Sequence, residues 1–323
     1  MRVGSAIFHE SRHLEDRQLL PPYSACNFCG AEKRSSVCML QKNPLVSLQK
    51  CVNCGAASAS RLPTTEALDE YYEDYYRSAS FAADAERITF DDTTRFGVHL
   101  AHRLADYVSE SSNKILDFGG GDGTMALRTA QQLLQRGLDG AHITVVDYND
   151  TLATTDDTRV TLVRQDTLEG LSPQGFDVVI ASAVIEHIPE PLPVLIALLN
   201  LLKKGGIFYA RTPYVVPLIR LFRLLGLGWH FTVPAHLHDL GRDFWEAFFG
   251  KVISSGSFSL LESRPSIVET SFRHHFLRTL VAYTFKAPWY LLGKHYTLVG
   301  GWEVFVRRES DTMIGPETGP SAP

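Results

Sequence analysis

Ile115-Leu116-Asp117-Phe118-Gly119-Gly120-Gly121-Asp122-Gly123-Thr124 decides the fold. An apolar run enters a glycine-rich turn, and Met125-Ala126-Leu127 then opens a helical pattern. Glycines at such a turn tolerate positive φ and let the backbone approach a ligand closely. Gly121-x-Gly123-x-x-Ala126, with Asp147 downstream, also satisfies the dinucleotide fingerprint, so an NAD-type ligand is one reading. Charge separates the readings. Asp117 and Asp122 place two carboxylates in the turn, which repel a pyrophosphate and suit a ligand bearing cationic groups.

Outward from this turn the pattern alternates. Strands are expected at 114–118, 142–147, 160–165, 176–182 and 206–211, with helices at 123–136 and 191–203. Two late strand-like runs, 257–263 and 301–307, flank a helical stretch at 273–292 and predict an antiparallel pair at the end of the sheet. The fold class is therefore α/β: a doubly wound, mostly parallel, seven-stranded Rossmann-like sheet, with a small N-terminal module and a helical cap. The chain divides into an extension (1–22), a cysteine-bearing module (23–62) closed by Pro63, and a helical linker or cap (63–110). A core (111–308) with helical insertions at 214–250 and 272–293 follows, and a Pro-containing tail (309–323) is expected to be disordered. In the linker, Leu68, Tyr71, Tyr72, Tyr75 and Tyr76 recur at helical spacing, a stripe suited to packing on the core or to touching substrate.

Asp117-x-Gly119-x-Gly121-x-Gly123 resembles the acid-Gly-x-Gly-x-Gly signature of the class I methyltransferases that use S-adenosylmethionine (SAM). The resemblance covers about residues 95–213 and extends through the late strands ending in Trp302-Glu303-Val304-Phe305-Val306. It implies that SAM lies along Asp117, Phe118, Gly119, Gly120, Gly121 and Gly123. It further implies that Asp147, followed by Tyr148, holds the ribose hydroxyls, and that Asp166 and Thr167 approach the adenine. Phe176 to Ile188, including Ala183, would then line the cofactor on its way to the substrate.

Cys26-x-x-Cys29-Gly30 and Cys51-x-x-Cys54-Gly55 are two copies of one pattern with 21 residues between Cys29 and Cys51. Four thiolates can close a tetrahedral Zn²⁺ site, and the following glycines allow the tight turns that aim N–H groups at sulfur. Such a site keeps no open position for substrate, so a structural role is expected. Lys33, Arg34 and Lys50 are near enough in sequence to offset its negative charge, while Cys38 stands apart. Two knuckles, a Tyr-rich helix and this core together resemble a bacterial subgroup. Its members act on small molecules, often in sugar, surface-glycan or secondary-metabolite pathways.

Methyl transfer to a hydroxyl or an acidic C–H needs a base. His187, just past the fourth strand, is the first candidate, with Glu186 beside it. His236-Leu237-His238-Asp239 follows the fifth strand, where His236 or His238 could act as a base oriented by Asp239, or contribute to a second metal site.

Composition bounds the partners. The 323 residues are 45% hydrophobic and 21% charged with net charge −5, a globular composition without the basic excess of a protein gripping long nucleic acid. RNA binding through the zinc module and a non-catalytic scaffold remain as alternatives to a small-molecule enzyme. Neither an apolar leader nor a spanning run is evident, so a cytoplasmic location is expected. Residues 211–308 carry 12 Lys/Arg against 6 Asp/Glu. Leu218-Ile219-Arg220-Leu221-Phe222-Arg223 and Phe285-Lys286-Ala287-Pro288-Trp289-Tyr290 mix apolar and basic residues. These segments suit either a helical cap over the cleft, peripheral contact with anionic lipid, or a pocket for an anionic or lipid-linked substrate. Oligomeric state has no sequence signal.

Overall fold

The computed structural model describes residues 2–4, 11–77, 92–109, 111, 113–253 and 256–315. The first part of the chain builds a small sheet. After β1 (Arg2–Gly4) come β2 (Arg34–Gln41), β3 (Val46–Cys51) and β4 (Ala57–Ala59), antiparallel neighbours in that order. Leu14, Leu19, Val37, Val46 and Leu48 form their shared core, so residues 11–22 wrap the module. Two helices follow, α1 (Thr65–Arg77) and α2 (Thr93–Leu104). The side chains of Tyr75 and Tyr76 lie outside the described residues, as does the whole of 78–91. Asp92 caps α2 by accepting from the Arg95 N–H at 2.9 Å, satisfying one of the donors that a helix start leaves open.

The core comprises β5 (Asn113–Phe118), α3 (Thr124–Leu134), β6 (Ala141–Val146), β7 (Val160–Gln165), β8 (Phe176–Ser182), α4 (Pro191–Leu201) and β9 (Leu202–Tyr214). Between β9 and the last strands stand α5 (Val216–Leu224), β10 (Gly228–His230), β11 (His238–Asp239) and α6 (Arg242–Ala247). β12 (Phe258–Pro265), α7 (Phe276–Lys286), α8 (Trp289–Leu292) and β13 (Gly300–Arg308) complete the chain. The seven-stranded order is β12-β13-β9-β8-β5-β6-β7; β13 is antiparallel to both its neighbours and the other contacts are parallel.

Alternation along the central strands buries both faces. Ile115, Val178, Ile180, Ile207 and Tyr209 pack on one side, beneath α2 and α3; Leu116, Val179, Ala181, Phe208 and Ala210 pack on the other, beneath α4 and α6. The chain starts in the middle at β5, runs outward to β7, and returns to β8 on the opposite side of β5. That reversal opens a crevice at the carboxyl ends of β5 and β8, the place where open α/β sheets bind ligands.

Three details differ from expectation. The helical stretch expected over 273–292 is two helices, broken where Pro288 lacks the N–H needed to continue α7. The tail expected to be disordered from Glu309 is ordered as far as Gly315: Ile314 is buried, and its backbone exchanges two hydrogen bonds with the Asn200 side chain at 2.7 and 2.9 Å. The module's sheet is also not self-contained. β11, from the insertion after β9, supplies its fourth strand by pairing with β4.

Candidate active site and cysteine cluster

The glycine turn is shaped by contacts that admit no side chain. Gly119, Gly121 and Gly123 have φ of 68°, 62° and 79°. A Cβ on Gly119 would stand 2.3 Å from Val184 Cγ2, and one on Gly120 would stand 2.3 Å from the Asp117 carboxylate. Asp117 therefore folds under its own turn. It is buried, and its Oδ2 has no hydrogen-bond partner among the described residues. Burial, then the neighbouring Asp147 and Asp122, push its pKa from 3.8 up to about 7. A buried carboxylate with an unused oxygen, beneath a turn open to close backbone approach, fits the ammonium end of SAM; a pyrophosphate would face three acids.

Asp147 ends β6 and steadies the turn: Oδ2 accepts from the Gly121 N–H at 2.8 Å and Oδ1 from the Asn149 N–H at 2.9 Å. Asp122 caps α3 through the Thr124 N–H and hydroxyl. Asp166 lies past the end of β7, largely exposed, in an ion pair with Arg164 at 2.8 Å, and Arg164 also reaches Asp150 at 3.1 Å. Tyr148 is 91% exposed, and Thr167 is exposed as well. Ala183, at φ 56°, starts the loop after β8, and its N–H donates to the Arg211 carbonyl. Phe118 and Ala183 thus flank the crevice from β5 and β8, while Asp166, Tyr148 and Thr167 stand out toward solvent.

Beyond Ala183 the loop delivers Glu186 and His187, and the insertion after β9 brings His236 to meet them. One ligating atom from each of the three lies within 4.8 Å of the others, and the two imidazoles are in tilted contact, 4.8 Å between centroids and 39° between planes. His187 Nδ1 is 2.8 Å from the Ala235 carbonyl, which can only accept, so Nδ1 carries the proton and neutral His187 holds its lone pair on Nε2. The Tyr72 hydroxyl lies 3.2 Å from the same Nδ1, placing a member of the tyrosine stripe beside the site. Glu186 is buried, its Oε2 lacks a partner among the described residues, and burial pushes its pKa from 4.5 up to about 8. Arg211, a cation inside the buried β9 strand, spans from Ser182 at 3.1 Å to Glu269. Its signal in the sequence is one charge in the apolar run Ile207-Phe208-Tyr209-Ala210.

His238 and Asp239 are not brought into this group. His238 is fully buried in the seam between module and core, with Nε2 donating to the Ile188 carbonyl at 2.9 Å and Nδ1 accepting from the Ser58 hydroxyl at 2.8 Å. Burial lowers its pKa to about 4, so it is neutral throughout the physiological range. Asp239 accepts from the Val215 and Val216 N–H groups, capping α5.

The four cysteines of the two knuckles converge. Cys26 and Cys54 sulfurs are 3.6 Å apart, as are those of Cys29 and Cys51, and all four lie within 4.8 Å of one another. A tetrahedron with Zn–S of about 2.3 Å has edges of about 3.8 Å, whereas a disulfide needs about 2 Å. The set therefore fits a tetrahedral metal. Gly30 and Gly55 adopt φ of 69° and 77° at the knuckle turns. Of the cations adjacent in sequence, Lys50 pairs with Asp243 at 2.9 Å and Arg34 donates to the Tyr23 carbonyl, so both serve internal contacts and neither is held out for a polyanion.

Residues 91–248 match a family model described as a methyltransferase domain. With the strand order and the acid-bearing glycine turn, this makes that region a class I SAM-dependent methyltransferase domain. Among curated proteins, the ubiquinone biosynthesis O-methyltransferase of Roseobacter denitrificans is 32% identical over 168 residues, covering 46% of this chain and 66% of that protein. The protein of the same name from Stutzerimonas stutzeri is 28% identical over 151 residues, covering 43% and 61%. The chain thus spans 61–66% of the length of these relatives. Among solved structures, magnesium protoporphyrin IX methyltransferase from Synechocystis PCC 6803 overlays 74% of this chain and 99% of its own at 15% identity and a TM-score of 0.46.

Proposed function

We propose that this chain transfers the methyl group of SAM to an oxygen or carbon atom of a small-molecule acceptor, with His187 as the base and His236 as its partner, and that the four cysteines hold a structural Zn²⁺. One observation carries the active-site assignment: a Cβ on Gly119 would strike Val184, so the histidine pair begins only three residues from a contact with the glycine turn. When bound, SAM supplies an electrophilic methyl carbon on a sulfonium. Asp117 would hold its ammonium, Asp147 its ribose hydroxyls and Asp166 its adenine side.

His187, fixed by the Ala235 carbonyl, presents the basic Nε2 and accepts the acceptor's proton; the tilted contact with the His236 ring limits its rotation. Glu186, held neutral by burial at ordinary pH, leaves that imidazole free of a competing negative charge until its own proton is lost. An oxygen acceptor is favoured because the named relatives are O-methyltransferases. Sugars, nucleotide-sugars and lipid-linked glycan precursors are the acceptor classes to screen first, with intermediates of ubiquinone biosynthesis as the class those relatives' name suggests.

Calorimetric titration with SAM, S-adenosylhomocysteine and NAD, beside a metal assay of the purified protein, is the primary test. Micromolar binding of the first two and none of NAD is expected. Binding of NAD alone would overturn the assignment, and a metal-free protein with full stability would overturn the zinc site.

A further inference from the structure

α7 is built inside out. Its one buried residue is Thr279, whose hydroxyl meets that of Thr270 at 2.8 Å, and Lys286 turns its ammonium in to the Ser266 and Ile267 carbonyls. The apolar residues of the helix point the other way: Phe276, Leu277, Leu280 and Val281 are 62%, 71%, 45% and 47% exposed. At 100° per residue these four fall within one 140° arc, opposite Thr279 and Lys286. A cap packed on the cleft would bury that arc, since an amphipathic helix turns its apolar stripe toward the protein core. This one turns it outward.

The outward face continues beyond α7. Leu291, on α8, is 90% exposed, and Leu224, at the end of α5, is 85% exposed. Phe222 of α5 and Phe285 of α7 are in ring contact at 6.3 Å, so the two helices adjoin. Exposed large apolar side chains grouped in this way mark an interaction surface. Charge identifies the partner. Residues 272–295 contain the exposed cations Arg273, Arg278 and Lys294 beside the inward-turned Lys286, and no Asp or Glu; residues 213–238 contain the exposed Arg220, and Arg223, which donates to the Val37 carbonyl, and again no acid. In a chain of net charge −5, two segments with only positive charges around exposed leucines complement a surface that is apolar inside and anionic outside.

We propose that α7, α8 and the end of α5 form a docking face for an anionic lipid bilayer, with the leucines entering the headgroup–acyl boundary and the arginines meeting lipid phosphates. The face lies outside the SAM turn and the histidine pair, so the proposal stands apart from the catalytic assignment.

The full-length protein is sedimented with phosphatidylcholine vesicles made with and without phosphatidylglycerol, beside the variant carrying Leu277→Asp and Leu291→Asp. Both leucines are exposed, so the variant retains its thermal unfolding midpoint and its affinity for SAM. Expected results are binding to the phosphatidylglycerol vesicles that weakens with salt, little binding to phosphatidylcholine alone, and at least about a tenfold loss of partitioning in the variant. Failure to sediment with anionic vesicles, or equal sedimentation of variant and parent, overturns the proposal. So does a wild-type dimer in solution that the double substitution converts to monomer, because the face would then belong to a second copy of the chain.

Discussion

Asp117→Asn removes a charge that the fold holds at a cost and that we propose meets the ammonium of SAM. Burial and two neighbouring acids raise the pKa of Asp117 from 3.8 to about 7. The sign follows from proton counting: between these values the folded protein keeps a proton that the unfolded chain has released, so stability falls as pH rises. Integrating between the two pKa values, the carboxyl disfavours folding by roughly 2 kcal/mol at about pH 5 and roughly 4 at about pH 8. Asparagine does not titrate, so any constant cost from its amide cancels. The stability of the variant relative to the parent should rise by about 2 to 3 kcal/mol over that range, which at a urea slope of about 3 kcal/mol per molar is a relative shift in midpoint of about 1 M. Paired urea titrations of ligand-free protein at the two pH values measure it, and thiolate or other carboxyl titrations common to both proteins drop out of the comparison. A gap between variant and parent that stays constant with pH would refute a buried, proton-holding Asp117. The same substitution should weaken SAM binding by about 10- to 100-fold, the worth of a charge-assisted hydrogen bond.

Because binding a cation requires Asp117 to release its proton, SAM affinity should climb as pH rises to about 7 and then level off, as calorimetry across pH would record. Gly119→Ala puts a methyl group against Val184 at a φ of 68°, and a combined loss of about 2 to 4 kcal/mol in stability, with loss of SAM binding, is expected from denaturation and titration. His187→Gln should lower kcat by about 10²- to 10⁴-fold with the dissociation constant for SAM unchanged. His238→Gln should instead lower the unfolding midpoint, and equal turnover in His187→Gln and parent would remove His187 as the base. Cys51→Ser should lose the metal and stability together, as read by metal analysis and thermal melts; full metal content would show the cluster to be misassigned.

The fold was legible because its signals are local and repeated. Strand periods from Ile115 to Val306 and the glycine turn at 119–123 each reflect a constraint that several adjacent residues share, and the observed elements begin and end within a few residues of those periods. Cys26, Cys29, Cys51 and Cys54 were legible for the same reason, since spacing alone restricts how two knuckles can meet. The histidines were harder. His236 and His238 share one side of an extended segment, yet one faces His187 and the other faces Ser58, because pairing of His238 with β4 turns the segment into the seam. Nothing within ten residues of His238 records that a strand from residue 57 will lie beside it. Glu186 and Arg211 acquire their character from burial, which only the assembled sheet determines. α7 shows the reverse case: its composition admitted both a cap and a surface helix, and the inward turn of Thr279 and Lys286, which leaves Leu277 and Leu280 exposed, depends on packing that no local spacing records.

The seam also explains why a small cysteine-bearing module should accompany this core. Cys54 is followed within three residues by β4, and β4 pairs with His238 and Asp239. From there the contacts run directly into the site: the Ala59 N–H donates to the Leu237 carbonyl, the Leu237 N–H donates to the Glu186 carbonyl, and His238 holds the Ile188 carbonyl. Ala235, three residues before His238, supplies the carbonyl that fixes the His187 tautomer. Lys50 with Asp243, and Phe28 with Phe244 at 4.6 Å between centroids, anchor the module on α6. The insertion that carries His236 is thus bound on one side by a sheet whose knuckle would be closed by metal, while the glycine turn rests on β5 and β6 and meets the histidine loop at Val184, with no hydrogen bond to the module among the described residues. Metal loss should therefore be felt first in the alignment of His187 and His236, and only later in the affinity for SAM, because the two halves of the site are supported by different parts of the fold.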